Sequence, residues 1–307
     1  MRHVEYERLV FSGHETFPIR HSWLPRAVQA VTSHQEVFEA EDAMVRLGVG
    51  KNMVRSMRHW GIATGVLEEL QLGGRTKAIR VSALGELLFA EKQGLDPYLE
   101  DPATLWLLHW QLASTPGRST TWFWVFNQCP QLEFTKEELL RWLTSLIEQR
   151  GGSRLSEASL RRDIDTFLRT YAATKPSKSL PMEETLDCPL VELELIREFG
   201  RGAYVLVRGE QSSLPDELFA YAVIDCIGRL PRAGSTVALD DVAFAPGAPG
   251  RVFCLSEESL LARLERMGAL TDGAVLFDDT AGMKQLLLKR DVPDAVALLR
   301  RYYAGRG

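Results

Sequence analysis

Residues 23–81 combine helical and strand patterns in an order that few folds can accommodate. Apolar residues recur at helical spacing from about 23 to 32, and a short helix follows at 43–47, ended by Gly48 and Gly50. A second amphipathic helix begins at Asn52, a good N-cap, with its apolar and basic residues on different sides. Two short strands, at 66–70 and 78–81, then flank a Gly-Gly turn. This order predicts a winged helix-turn-helix.

In a winged helix-turn-helix, the second helix of the pair reads the DNA major groove and the hairpin contacts the phosphate backbone. The residues predicted to contact DNA are those on the outer side of the second helix and in the hairpin turn: Lys51, Asn52, Arg55, Ser56, Arg58, His59, Arg75 and Lys77. Winged folds also serve protein contacts, and the pattern leaves that alternative open.

The charge of the chain is unevenly distributed. The net charge is -5, yet residues 44–80 hold seven basic residues against two acidic ones, a net of +5. Residues 141–178 hold eight basic residues against four acidic ones, a net of +4, so the remainder carries -14. Such asymmetry indicates a local polyanion-binding face on an otherwise acidic protein, although a solvated charged surface also produces it.

The chain is predicted to form three domains, because 307 residues exceed the usual size of one hydrophobic core. We expect a winged DNA-binding domain at 1–94, a helical domain at 95–180 and a degenerate winged domain at 181–307. The fold class predicted is mainly α with small β-hairpin wings, as repeated winged helix-turn-helix units around helical bundles. The polar, proline-broken stretch 175–181 is the best linker candidate.

Two helices in the middle of the chain are predicted to be buried. The first starts at Asp101 and Pro102 and is apolar on nearly every face, so His109 within it should be a satisfied core histidine. The second, TTWFWVFNQ, has aromatic side chains that we expect in the core rather than in a base-stacking platform.

Two later regions are candidate repeats of the winged unit. Two amphipathic helices between 136 and 171 carry arginines on their outer faces and form either a second helix-turn-helix or an ordinary helical bundle: Arg141, Arg161, Arg162 and Arg169. Further on, MGALTDGAVLF at 267–277 echoes WGIATGVLEEL at 60–70, and a second wing follows it. Residues 254–290 hold five basic residues against six acidic ones, so we expect this copy to make partner or homodimer contacts rather than to bind DNA.

Several function classes find no support in the sequence. The longest apolar runs fall far short of a membrane span, and the charged N-terminus lacks the apolar segment of a secretory signal, so we expect a cytoplasmic protein without membrane association. The four cysteines stand far apart and should be reduced and mostly buried. The zinc-binding motif HExxH, the nucleophile motif GxSxG and the CxxC pair are absent. The phosphate-loop pattern is also absent, which argues against nucleotide hydrolysis.

The densest group of chemically active side chains is in FSGHETFPIRHSW, at 11–23. An imidazole beside a carboxylate can serve general acid/base chemistry or hold a metal, so His14 and Glu15 are the candidate catalytic residues. The alternative is structural, with Glu15 and Arg20 forming an ion pair that fixes the loop.

Three segments resemble a known family: FSGHETFPIRHSWLPRAV, EDAMVRLGVGKNMVRSMRHWGIATG and GLDPYLEDPATLWLLHWQLAS. They are similar to the SspB-like family of Ssp-type bacterial DNA phosphorothioation systems, which replace a non-bridging phosphate oxygen of DNA with sulfur and serve antiphage defence. The resemblance covers roughly residues 10–175 and implies a DNA-acting protein with a role as a nickase. It also implies double-stranded DNA, a cysteine desulfurase, a sulfurtransferase-like ATP pyrophosphatase and an ATPase as partners.

Two functional hypotheses follow. In the first, the chain is a DNA-binding and DNA-nicking endonuclease of the modification system, which requires charge stabilisation on the phosphate and usually a divalent metal held by carboxylates. In the second, it is a non-catalytic DNA-binding adaptor or transcriptional regulator. Asp163 and Asp165 are the acidic pair in a basic helix, but at spacing i and i+2 they point to different faces.

Overall fold

The computed structural model describes residues 8–73, 76–150, 155–173, 188–200, 202–231, 234–280, 282–289 and 292–306. Over these ranges the chain is mainly α-helical with three small antiparallel sheets, as the sequence predicts, while the repeated winged units stay a prediction. The linker candidate at 175–181 lies outside the described residues.

The first segment contains the helices and hairpin predicted from the sequence. Its elements are α1 (Trp23–Ser33), α2 (Ala43–Leu47), α3 (Lys51–Ala63), β1 (Leu67–Gly73), β2 (Thr76–Val81) and α4 (Ala83–Phe89). Gly48 ends α2 in the left-handed conformation, at φ 63°, which glycine adopts without steric cost. The N-cap of α3 lies two residues earlier than expected, because Gly50 takes that position and Asn52 lies inside the first turn. The apolar side of α3 packs against α1.

Helices α5 (Pro102–Ala113) and α6 (Thr120–Gln128) form the centre of the molecule, as predicted. The Asp101 side chain accepts a hydrogen bond from the backbone N–H of Ala103 and so caps α5. His109 is fully buried, with one ring nitrogen 2.8 Å from the Tyr171 hydroxyl and the other 2.7 Å from the Val252 carbonyl. It is therefore the satisfied core histidine that the sequence predicts.

The next segment places a strand before two helices and a hairpin after them. Its elements are β3 (Glu133–Thr135), α7 (Lys136–Gln149), α8 (Glu157–Tyr171), a 3₁₀ turn at Pro189–Leu193, β4 (Ile196–Phe199) and β5 (Ala203–Leu206). Strand β5 is central in the sheet order β3-β5-β4. Thr135 and Glu138 form a reciprocal capping box at the start of α7, which fixes the strand-to-helix turn.

The C-terminal segment follows the same order. Its elements are α9 (Asp216–Arg229), β6 (Thr236–Ala238), α10 (Leu239–Ala243), α11 (Pro249–Val252), α12 (Glu257–Leu270), β7 (Val275–Thr280), β8 (Met283–Leu288) and α13 (Ala295–Ala304). The sheet order is β6-β8-β7, so the last strand of the hairpin is again central. The predicted hairpin after α12 is confirmed.

Buried apolar side chains from Ile19 to Leu299 form one contiguous core that runs through all three segments. The four cysteines are free thiols, and three of them are buried, as expected. Among the described residues, no helix combines the length and apolarity that a membrane span requires. The domain boundaries at 94 and 180 stay predictions, since 180 lies outside the described residues.

Candidate functional site

The loop that carries His14 and Glu15 lies between α3 and α8. Its shape depends on backbone in the left-handed region at Ser12, Glu15 and Thr16, with φ of 62°, 49° and 69°. Gly13 is needed for a different reason: a Cβ atom there would lie 2.3 Å from Nδ1 of His59 on α3. The loop therefore packs so closely on α3 that a side chain at position 13 would displace the His59 ring.

His14 is buried and makes two hydrogen bonds within the protein. The backbone N–H of Thr16 donates to its Nδ1 at 3.1 Å, so the ring proton is assigned to Nε2. Nε2 in turn lies 2.9 Å from Oδ1 of Asp163 on α8. Asp163 also accepts from the backbone N–H of Ser12 and from the Thr121 hydroxyl, both at 2.6 Å. We call Ser12, His14, Thr121 and Asp163 the His14–Asp163 network.

Aromatic rings enclose this network. His14 stacks on Trp60 of α3 with 5.9 Å between ring centroids, and Trp122 and His59 each lie 5.8 Å away. Trp60 is itself fixed, because its Nε1–H donates to the Phe17 carbonyl at 2.9 Å. Packing against these rings therefore helps to hold the His14 side chain in place. In this conformation both ring nitrogens are occupied inside the protein.

His59 is affected by the same enclosure. Burial lowers the pKa of His59 from its ordinary 6.5 to about 3; nearby His14 and Arg58 act in the same direction, and Asp163 opposes them. Its Nε2 atom is buried and has no hydrogen-bond partner among the described residues. His59 was predicted to contact DNA, and the structure instead places its ring against Gly13 and Trp60.

Glu15 lies near a different arginine from the one expected. Its carboxylate is 3.6 Å from the Arg55 guanidinium on α3. Arg20 instead lies over the rings of Phe17 and Trp23, at 5.9 and 5.3 Å from their centroids. The predicted Glu15–Arg20 ion pair is therefore wrong. Glu15 is instead ion-paired with Arg55, which holds the loop to α3.

The outward face of α3 keeps three of the predicted DNA-contacting residues exposed: Lys51, Asn52 and Arg55. Ser56 is a correction, since it is fully buried and its hydroxyl faces the Phe17 carbonyl at 3.5 Å. Arg75 lies outside the described residues, and Lys77 lies in β2 with its side chain outside the description.

Acidic residues inside this segment, and Glu39 and Asp42 outside it, neutralise part of its basic charge. Arg58 lies 2.7 Å from Glu69 and 3.8 Å from Glu39. Arg46 is similarly paired with Asp42, and Arg80 with Glu68. Counting charge along the sequence therefore overstated the positive potential here, because the count omitted acidic residues that folding brings close.

Asp163 is the residue of the site whose role the sequence analysis missed. As predicted, Asp163 and Asp165 lie on different faces of α8. Asp163 points into the network, while exposed Asp165 lies 2.6 Å from the Lys136 ammonium. The available signal was its position on the apolar side of α8, between Leu160 and Ile164. A carboxylate on a buried helix face requires partners.

With the geometry established, comparison with known proteins identifies the family. The profile of the family described as "Protein of unknown function (DUF4007)" matches residues 11–303. A magnesium-ion-bound SspB crystal structure superposes with a TM-score of 0.86 at 32% identity, covering 97% of this chain and 88% of that one. The chain belongs to the DUF4007 family and is SspB-like. A second SspB crystal structure gives a TM-score of 0.85 at 33% identity with the same coverage. No curated protein matches the chain.

The bound magnesium of that SspB structure raises the question of a metal site here. Among the described residues, no group of three or more His, Cys, Asp or Glu side chains is arranged to hold a metal ion. Both oxygens of Asp163 already accept hydrogen bonds from protein donors. The described side chains do not fit a preformed carboxylate site, so no step through a metal is derived.

Proposed function

We propose that the chain is a DNA-binding component of an Ssp-type DNA phosphorothioation and defence system. The observation that carries the proposal is the exposed, basic N-terminal half of α3, with Lys51, Asn52 and Arg55 facing solvent. The SspB-like fold and the resemblance of the three sequence segments support the system to which we assign it.

We propose that α2, α3 and the following hairpin act as a winged helix-turn-helix. The buried side of the helix, with Val54, Met57 and Trp60, docks on the core, and the turn at Gly48 sets its angle to α2. Hairpin β1–β2 follows directly as the wing. We propose that α3 enters the major groove and that its basic side chains contact phosphates near the groove edge.

The test is binding of a fluorescent 20-base-pair duplex by the full chain over a range of salt concentrations. Affinity should fall steeply with salt, and Lys51→Ala should reduce the slope of log K against log salt by about 0.9, the contribution of one phosphate contact. Lys289→Ala is the matched control, since Lys289 is an exposed lysine in the C-terminal segment. A salt-independent affinity would contradict the proposal.

DNA nicking is a second candidate function, which the resemblance of the three sequence segments to the SspB-like family implies. Of the two predicted catalytic residues, Glu15 is the one with an accessible carboxylate, 35% exposed and next to Arg55. In this proposal Glu15 acts at the phosphate, and buried His14 positions the loop through Asp163. Supercoiled plasmid, incubated with purified protein and Mg²⁺ or Mn²⁺, should be relaxed by wild type and left intact by Glu15→Gln.

If wild-type protein binds duplex DNA but never relaxes plasmid, the adaptor alternative is the better description. The cytoplasmic location and the partner enzymes of the modification system belong to the same proposal. Co-purification of the tagged full chain with the cysteine desulfurase and the ATP pyrophosphatase of its system tests the partners directly. The C-terminal segment is the proposed site of partner or homodimer contacts, which light scattering of the purified chain tests.

A further inference from the structure

A cleft borders the N-terminal loop on the side away from α3. It has a volume of about 550 Å³ and lies between the start of α7, the outer face of α8 and strands β4 and β5. Its polar lining has three cationic and two acidic side chains in addition to Tyr204 and Thr16: Lys136, Arg162, Arg169, Asp165 and Glu198. The formal charge of the lining is therefore positive.

The three cations of this cleft are not equivalent. The Lys136 ammonium is 2.6 Å from Asp165, so these two charges compensate each other. Arg169 donates to the Thr16 carbonyl and thereby holds the N-terminal loop. Arg162 is exposed and, among the described residues, forms no ion pair; its guanidinium contacts the Ser159 hydroxyl at 3.3 Å. Arg162 is thus the cation of the cleft that is available to an anion.

The position of Arg162 in the fold is comparable with a position in the C-terminal segment. Both segments run helix, strand, helices and hairpin, with the last strand central in the sheet, and α8 corresponds to α12 in this order. On α12, however, Arg263 and Arg266 are both bound to Asp216, at 2.7 and 2.6 Å. Only the middle segment therefore keeps an uncompensated arginine on the helix that precedes its hairpin, as far as the described residues extend.

The N-terminal loop joins the cleft to the outward face of α3. Glu15 contacts Arg55 of α3, and the adjacent Thr16 accepts a hydrogen bond from Arg169 of α8. One short loop therefore separates the two basic surfaces, and an extended polyanion such as duplex DNA can lie against both.

We propose that this cleft is a second contact site for the phosphate backbone of duplex DNA, with Arg162 as its principal cation. The inference rests on the proposed DNA-binding function and adds a surface to it. A guanidinium binds phosphate through two parallel hydrogen bonds, which suits Arg162 to this contact. Contacts from α8 as well as α3 fix the orientation of the duplex on the protein.

The test compares Arg162→Ala with Arg161→Ala in the full chain. Arg161 is the neighbouring residue on α8, also exposed, but it is ion-paired with Glu157 at 3.0 Å and does not line the cleft. The two variants lose the same charge from the same helix. Affinity for a 20-base-pair duplex is measured by fluorescence anisotropy at several salt concentrations, and thermal melting verifies that both variants are folded.

Loss of one phosphate contact should lower the salt slope by about 0.9 and weaken binding about 8-fold at 0.1 M salt. We expect this for Arg162→Ala, near-wild-type binding for Arg161→Ala, and recovery of the slope in Arg162→Lys. Equal affinities of Arg162→Ala and Arg161→Ala, in a protein whose wild type binds duplex, overturn the cleft assignment and leave the α3 proposal standing. A wild type that does not bind duplex overturns both.

Discussion

Asp163→Ala should destabilise the protein far more than a typical substitution of an aspartate. The Asp163 carboxylate accepts hydrogen bonds from three donors, the Ser12 N–H, the His14 Nε2–H and the Thr121 hydroxyl. Each buried donor left without a partner costs about 1–3 kcal/mol, so the loss of the acceptor for three donors sets a lower limit of about 3 kcal/mol. We therefore expect a loss of at least about 3 kcal/mol, a large fraction of the roughly 5–15 kcal/mol typical of folded proteins.

Asp165→Ala is the matched control, two residues along the same helix. Its carboxylate pairs with Lys136 at the surface, where an ion pair contributes about 0–1 kcal/mol. Urea denaturation followed by circular dichroism gives the free energy of unfolding for both variants. If Asp163→Ala proves insoluble, Thr121→Val removes one of the three donors and should cost about 1 kcal/mol.

A double-mutant cycle between His14→Ala and Asp163→Ala should show a coupling energy within about 0.5–3 kcal/mol. Additive effects, or an Asp163→Ala variant as stable as Asp165→Ala, would refute the reasoning. Either result would mean that the network does not hold the N-terminal loop to α6 and α8.

Three further predictions concern neighbouring residues. Lys51→Ala should weaken duplex binding more than Arg58→Ala in anisotropy titrations, because Arg58 is already paired with Glu69 and Glu39; the reverse order would contradict it. Gly13→Ala should cost about 1–3 kcal/mol in urea denaturation, because its Cβ would overlap the His59 ring, and unchanged stability would show that the ring moves freely. His59 has a folded-state pKa of about 3 and an ordinary value of 6.5, so the unfolded chain binds more protons between these values. The stability that His59 contributes is complete above about pH 6.5 and is lost as the pH falls towards 3; the decline measured from pH 7 to 4 should be shallower in His59→Gln.

The C-terminal arginines illustrate how the structure changes the choice of controls. Arg263 and Arg266 lie in the C-terminal segment, which we do not expect to bind DNA, so their substitution is an obvious control. Arg263 is instead buried and donates to the Leu214 and Gln211 carbonyls as well as to Asp216. Its removal would test folding, so an exposed lysine such as Lys289 is the better control for DNA binding.

Local sequence signals are sufficient to locate the helices and hairpins of this protein. Helix α5 starts where Asp101 and Pro102 indicate, α8 and α12 start after the serine caps Ser156 and Ser256, and both predicted hairpins form. Capping, periodicity and turn preferences act between residues a few positions apart, so they can be read from the chain directly. The burial of α5 and α6 followed from their apolar composition for the same reason.

The roles of the polar residues depend instead on contacts that form when the chain folds. His14 is a buried positioning residue because folding places it against Asp163, 149 positions away. Ser56 is inaccessible to solvent because the N-terminal loop covers it. Arg55 and Arg58 were partly neutralised by Glu15 and Glu39, which lie outside the segment whose charge was counted. Hydrogen bonds and ion pairs act over a few ångströms, and the sequence does not give the distances between residues that are far apart along the chain.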